Sequence, residues 1–199
     1  MMCEPLEVTY PARVTRHQRE CLNRHRSGVV YMTGLSGAGK STLAAMLEQH
    51  LYAQGMRTYV LDGDELRQGL TRDLGFSDAD RVENVRRVVE VARLMVDAGL
   101  IVITALISPF AADRQAARAC FAASEFMEVF VDAPLVVCEE RDPKGLYKRA
   151  RRGELKGFTG IGSRYESPSF PDLRIDSASL TPHEACTALL AGMAEFGFF

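Results

Sequence analysis

The chain has 199 residues, 47% of them hydrophobic and 25% charged, an ordinary globular composition that excludes a disordered or collagen-like chain. Lys+Arg 24 against Asp+Glu 26 leaves a net charge of −2, so no global field draws the chain to nucleic acid or to a membrane surface. The length suits one domain with a full core.

Residues 1–27 are polar and Arg-rich, with Pro5 and Pro11, and read as an N-terminal arm carrying at most one short helix. Glu4 and Glu7 spoil a secretory opening, which wants a basic and then an apolar start. Residues 28–199 form the domain proper, where short apolar runs alternate with helical patterns. Strands are predicted at 29–33, 58–61, 100–107, 126–131 and 173–175. The longest apolar run, 100–107, is far below the ~20 residues of a membrane span. Helices are predicted at 41–54 and 79–98, closed by Gly55 and Gly99, and at 110–122 and 135–141. Thr181-Pro182-His183-Glu184 is a capping box with Pro at the first helical position, and it opens the last helix. Strands without alternation, separated by helices, predict an α/β domain with a doubly wound parallel sheet covered on both faces. Residues 142–165 break this rhythm. Gly145, Gly153, Gly157, Gly160 and Gly162 lie among Lys144, Lys148, Arg149, Arg151, Arg152, Lys156 and Arg164, and this long basic loop reads as a lid over phosphates.

Five cysteines (Cys3, Cys21, Cys120, Cys138, Cys186), odd in number and without a C-x-x-C, predict reduced thiols and a cytoplasmic protein. The four histidines show no ligand spacing, so the protein alone encodes no metal cage.

Gly34-Leu35-Ser36-Gly37-Ala38-Gly39-Lys40-Ser41 fits G-x-x-x-x-G-K-[ST], the phosphate-binding loop of P-loop NTPases, between a predicted strand and a predicted helix. Its glycines let several backbone N–H groups face one anion, and the helix N-terminus adds its positive end. Lys40 is expected at the β- and γ-phosphates, and the Ser41 hydroxyl on Mg²⁺. An N-K-x-D segment for reading guanine is missing. The strand at 100–107 runs into Ser108-Pro109 instead of an acidic residue, and the nearest acidic pair is Asp62-Gly63-Asp64. Parallel strands present their carboxyl ends to the ligand crevice, so Asp62, Asp64 and Ser108 are expected to converge near the γ-phosphate. One carboxylate would order Mg²⁺-bound water and the other would accept the acceptor's proton. The plainer reading of the same residues is a D-G turn leading into a helix capped by Asp64. Arg81 and Asn84, three apart on the first turn of a helix, can address one ligand, with Arg67 and Phe76 just before them. Each of these alone also reads as a surface charge or a core aromatic.

Residues 34–42, 61–70 (LDGDELRQGL), 73–87 (DLGFSDADRVENVRR), 107–109 (ISP) and 142–160 (DPKGLYKRARRGELKGFTG) closely resemble adenylylsulfate kinases, as do 14–20 and 130–134 (FVDAP). The resemblance spans about residues 14–165. It implies transfer of the ATP γ-phosphate to the 3′-OH of adenylyl sulfate, with Mg²⁺, in a homodimer. An ATP sulfurylase is a further partner that the resemblance brings into view, and nucleic acid and membrane are not.

By position, the resemblance puts ATP on Gly34, Leu35, Ser36, Gly37, Ala38, Gly39, Lys40, Ser41 and Thr42, with Lys144 and Arg149. It puts adenylyl sulfate on Asp64, Arg67, Phe76, Arg81, Asn84, Ile107, Ser108, Gly157 and Phe158. Phe76 and Phe158 would sandwich the acceptor adenine, Asp64 would be the base, and Ser41 with Asp62 would hold the metal. The family also carries a phosphoserine at the position of Ser108, although in-line transfer to a bound hydroxyl needs no such intermediate. Glu65 stands where Asn is usual, adding negative charge near anionic ligands. Gly162 stands where Asp is usual, which bears on lid closure. Rival readings are a kinase for a sugar or nucleoside monophosphate, a silent nucleotide-binding domain, and a nucleic-acid-binding lid. The first does not account for the 73–87 run, intact Lys40, Ser41, Asp62, Asp64 and Lys144 argue against the second, and the interleaved Glu154 and the negative net charge argue against the third.

Overall fold

The computed structural model describes residues 13–155 and 157–198. Readings that involve Cys3, Glu4, Pro5, Glu7, Pro11 and Lys156 lie outside the described residues. Five parallel strands, β1 (Gly28–Thr33), β2 (Thr58–Asp62), β3 (Ile101–Ala105), β4 (Phe126–Asp132) and β5 (Leu173–Asp176), form one sheet in the order β2-β3-β1-β4-β5. All five predicted strands are present. β1 and β3 are buried at every residue, as strands covered on both faces must be.

Side chains of β1 alternate between two cores. Val30 and Met32 point toward α2 (Lys40–Ala53) and α8 (Pro182–Phe196), where Leu43, Leu47, Leu51, Leu189 and Met193 pack. Val29 and Tyr31 point toward α4 (Asp78–Asp97) and α5 (Ala111–Ala119), against Val85, Val88, Val89 and Ala117. The chain leaves β1 over one face and returns from β2 through α4 over the other. The crevice at the strands' carboxyl ends therefore opens beside β1.

The structure differs from the sequence reading at three places. The 100–107 run is a strand only to Ala105. Leu106 still donates to the Met32 carbonyl at 3.4 Å, and the backbone then turns at Ser108 with φ 44°. The Asp-Gly-Asp segment forms a one-turn helix, α3 (Gly63–Leu66), capped by Asp62 and not by Asp64: the Asp62 Oδ1 accepts the Asp64 N–H at 2.9 Å. The lid is not a plain loop. After α6 (Leu135–Arg141) it contains α7 (Leu146–Arg151), whose Tyr147 and Ala150 are buried among its charged residues.

The arm, from residue 13 onward, is docked against the domain. Its helix α1 (Arg16–Asn23) starts with a Thr15–Gln18 capping box. Arg16 pairs with Glu125 at 2.7 Å, Arg19 with Asp97 at 3.1 Å, and Asn23 donates to the Gly99 carbonyl at 2.9 Å. Gly99 closes α4 at φ +90°, and a Cβ there would lie 2.8 Å from Asn23 Nδ2 and 3.0 Å from Arg19 Cβ. Backbone conformation and docking thus demand glycine together. Gly99→Ala is expected to cost at least about 1 kcal/mol, lowering the thermal midpoint by roughly 2–4 °C. A midpoint equal to wild type would show that α1 does not depend on this close approach.

Candidate active site

The turn from β1 to α2 builds the anion cradle. At Gly34, with φ +154°, a Cβ would sit 2.4 Å from the Val131 carbonyl oxygen, so only glycine lets the loop pass beside β4. α2 begins after Gly39 with no side-chain cap, leaving its first N–H groups to the crevice. Lys40 is buried, and its Nζ folds back onto the carbonyls of Gly34 at 2.9 Å and Leu35 at 2.8 Å. Burial pushes its pKa down to about 8, helped by Lys144 and opposed by Cys138 and Asp62. The Ser36 carbonyl accepts from the lid's Tyr147 hydroxyl at 2.9 Å, tying the leading half of the lid to the loop.

Asp62 caps α3 at the end of β2, and Asp64 stands exposed one turn on. Lys144, at the start of the lid, forms an ion pair with the Asp64 carboxylate. The expected ATP-side lysine and the expected base are therefore joined across the crevice mouth.

The opposite wall carries two guanidinium groups without carboxylate partners among the described residues. Arg67 donates to the Gly75 carbonyl at 3.0 Å and lies 4.3 Å over the Phe76 ring. Arg81 is buried and donates to the carbonyls of Phe76 at 3.2 Å and Gly157 at 3.0 Å. Burial lowers the pKa of both, and Arg67 lowers that of Arg81 further by repulsion. Beside them, Asn84 Oδ1 is buried without a hydrogen-bond partner. Clustered, partly desolvated cations and an orphaned amide oxygen suit a ligand that brings an anionic group to the guanidinium groups and an N–H or O–H donor to Asn84.

Ser108 is 2% exposed, and its Oγ lies 2.6 Å from the buried Tyr31 hydroxyl. Its hydroxyl is thus engaged with the strand beneath it instead of standing free over the crevice. Phe158 is buried against Tyr147 at 5.0 Å in an edge-to-face contact, whereas Phe76 is exposed with Arg67 over one ring face. One ring face of Phe76, expected to stack an adenine with Phe158, is thus covered by a guanidinium. The lid turn is formed with Gly162 in place of Asp: Gly160 donates to the Ser163 carbonyl at 2.8 Å and Gly162 to that of Phe158 at 2.9 Å.

A cavity of about 820 Å³ unites the two halves. Ser36 to Thr42, Asp62, Asp64, Arg67, Phe76, Arg81, Asn84, Ile107, Ser108, Lys144 and Phe158 all line it, as does Glu65. Arg149 does not. It sits exposed on α7, paired with Glu154 at 3.3 Å, because the buried face of that short helix is given to Tyr147 and Ala150. Gly34, Leu35 and Gly157 act through their carbonyls, on Lys40 and Arg81.

The sequence reading missed the far end of the cavity, where Arg141, Ser177, Leu180 and Pro182 meet. Arg141 donates to the carbonyls of Gly37 at 3.3 Å and Ser177 at 2.5 Å, and Ser177 Oγ to that of Ala38 at 2.7 Å. The Thr181-Pro182 cap signature pointed to this helix start, although not to its place beside the phosphate loop.

A parallel α/β sheet with a lysine-bearing phosphate loop, a carboxylate and a basic lid over an anion pocket defines a P-loop kinase. The family model for adenylylsulphate kinase matches residues 26–176. An adenylyl-sulfate kinase of Yersinia pestis is 60% identical over 173 residues, 87% of this chain and 81% of that protein. One from Marinobacter nauticus is 53% identical over 188 residues, 94% of each. The solved Mycobacterium tuberculosis APS kinase CysC, in complex with AMPPNP and APS, superposes with a TM-score of 0.82 at 48% identity, covering 85% of this chain and 98% of that one. The chain belongs to the adenylylsulfate kinase family, and its activity is that of an ATP-dependent adenylyl-sulfate kinase.

Anion binding needs Lys40 charged. The kcat/KM for ATP, which reports the free enzyme, is expected to fall as pH rises through about 8. A profile flat up to the usual lysine value of 10.5 would contradict a buried Lys40 as the phosphate-binding cation.

Proposed function

We propose that ATP binds over Gly34–Thr42 with its base toward Arg141 and Ser177, that adenylyl sulfate binds against Arg67, Arg81 and Asn84, and that the γ-phosphate passes directly between them. The observation that carries this reading is the pair of guanidinium groups without carboxylate partners beside the orphaned Asn84 oxygen, on the wall facing Lys40. The Mycobacterium tuberculosis relative, described with AMPPNP and APS bound, supports the same pair of ligands here.

Asp64 is the base in this reading. In the ligand-free site it is paired with Lys144, and ATP offers that ammonium a second set of oxygens. Once Lys144 turns to the phosphates, the carboxylate is free for the acceptor. The 3′-oxygen then forms its bond to the γ-phosphorus as the bond to the ADP oxygen breaks, and the hydroxyl proton goes to Asp64. Lys40 and the α2 N-terminus stabilise the charge on the transferring group. Ser108, held by Tyr31, shapes the acceptor pocket and carries no phosphate in this step.

Mg²⁺ fits the donors present. Ser41 and Asp62 offer only oxygen, and this ion favours one or two protein oxygens with phosphate and water. When bound, it neutralises charge on the β- and γ-phosphates. A homodimer and a cytoplasmic location belong to the same reading. The second rests on the unpaired Cys21, Cys120, Cys138 and Cys186.

Arg81→Ala is expected to weaken adenylyl sulfate binding by about 1.5–3 kcal/mol while leaving ATP binding unchanged, as calorimetry on each ligand will measure. Equal damage to both would mean that Arg81 supports the lid and not the acceptor.

A further inference from the structure

The lid rejoins the domain through Tyr165 and Glu166, and both fasten onto residues 107–111. Tyr165 OH lies 2.9 Å from Thr33 Oγ1, which donates to the Ile107 carbonyl at 2.7 Å. Glu166 uses three of its groups. Its N–H donates to the Pro109 carbonyl at 2.8 Å, and its own carbonyl accepts from Arg114 Nη2 at 2.6 Å. Its carboxylate Oε2 accepts the Ala111 N–H at 2.8 Å, while Oε1 pairs with Arg164 at 2.9 Å. Phe110 gives α5 no side-chain cap, so the Glu166 carboxylate supplies the missing acceptor and the charge that suits a helix N-terminus.

Arg114 completes the joint. It is 3% exposed, its Nε donates to Glu128 Oε1 at 2.9 Å, and its Nη1 donates to the Ser108 carbonyl at 2.7 Å. One guanidinium, fixed by a buried carboxylate, thus holds the carbonyls of Ser108 and Glu166 together. Ser108 needs such support, because φ 44° is a sparsely populated conformation for a residue with a side chain.

We propose that Glu166 is a positioning residue for the acceptor. Through Ala111 and Arg114 it sets the 107–109 loop, one wall of the acceptor pocket, in register with the trailing end of the lid. Lid closure and acceptor placement then become one geometric event. The leading end of the lid has its own anchor at Ser36, a hold on the phosphate loop that does not pass through Glu166. The inference rests on the acceptor site proposed above.

The test is steady-state kinetics on two variants that break one hydrogen bond from opposite sides. Glu166→Ala removes the acceptor. Ala111→Pro removes the donor at the first helical position, where proline is tolerated and where the extended Phe110 suits a following proline. Each is expected to raise the KM for adenylyl sulfate by about fivefold to tenfold, the scale of one lost cap, with the KM for ATP within about twofold of wild type. Glu166→Gln keeps an oxygen for the Ala111 N–H and is expected to restore most of the loss.

A rise in both KM values together would overturn the proposal. So would a lowered thermal midpoint with unchanged kinetics, or a folded Ala111→Pro enzyme with a wild-type KM for adenylyl sulfate. Arg81→Ala, measured alongside, separates the two readings. If it spares adenylyl sulfate, the acceptor site itself is misplaced. If it impairs adenylyl sulfate while Glu166→Ala does not, only the positioning role falls.

Discussion

A lysine kept buried at the first residue of α2 is the constraint on which the site depends. Lys40 is buried and makes no direct ion pair among the described residues, so it turns its ammonium onto the carbonyls of Gly34 and Leu35. That fold-back requires the loop to curl tightly, which requires Gly34 to pass against the Val131 carbonyl. The curl in turn exposes the uncapped start of α2. Two such positive features lie close together, and burial, with Lys144 nearby, depresses the Lys40 pKa. A polyphosphate removes the conflict. The same logic holds across the crevice, where Arg67 and Arg81 repel each other beside an unsatisfied Asn84 oxygen. The cations of both walls suit anions, and the Asn84 oxygen suits a donor on the same ligand.

The lid makes the two halves one site. At its leading end Tyr147 reaches the Ser36 carbonyl, and in its middle Arg81 holds the Gly157 carbonyl. At its trailing end Glu166 is bonded to Pro109, Ala111 and Arg114. Its glycines and charges are arranged around a buried spine of Tyr147, Ala150 and Phe158, so the segment packs as a folded flap.

Much of this was legible in the sequence, for physical reasons that differ by element. The inner strands β1, β3 and β4 showed because a strand covered on both faces must be apolar throughout, as 29–32 and 101–103 are. The phosphate loop showed because its chemistry fixes residue types at fixed spacing. The acceptor residues 67–84 lie within one turn and one helix start, and only the resemblance gave them a shared purpose. What stayed hidden is what joins distant segments. Asp64 and Lys144 are 80 residues apart, Tyr31 and Ser108 are 77 apart, and no local pattern records either pair. α7 was concealed because only two of its six residues are buried. That Arg149 sits outside the cavity, paired with Glu154, was hidden for the same reason, since the helical face it occupies was not known.

The central claim is a single transfer from ATP to the acceptor hydroxyl, with Ser108 held by Tyr31 as part of the wall. The most direct measurement uses ATP made chiral at a γ-thiophosphate and reads the configuration at phosphorus in the product. One in-line displacement inverts that centre, and inversion is the result this account predicts. Retention would require two displacements and a covalent enzyme intermediate, and it would contradict the account.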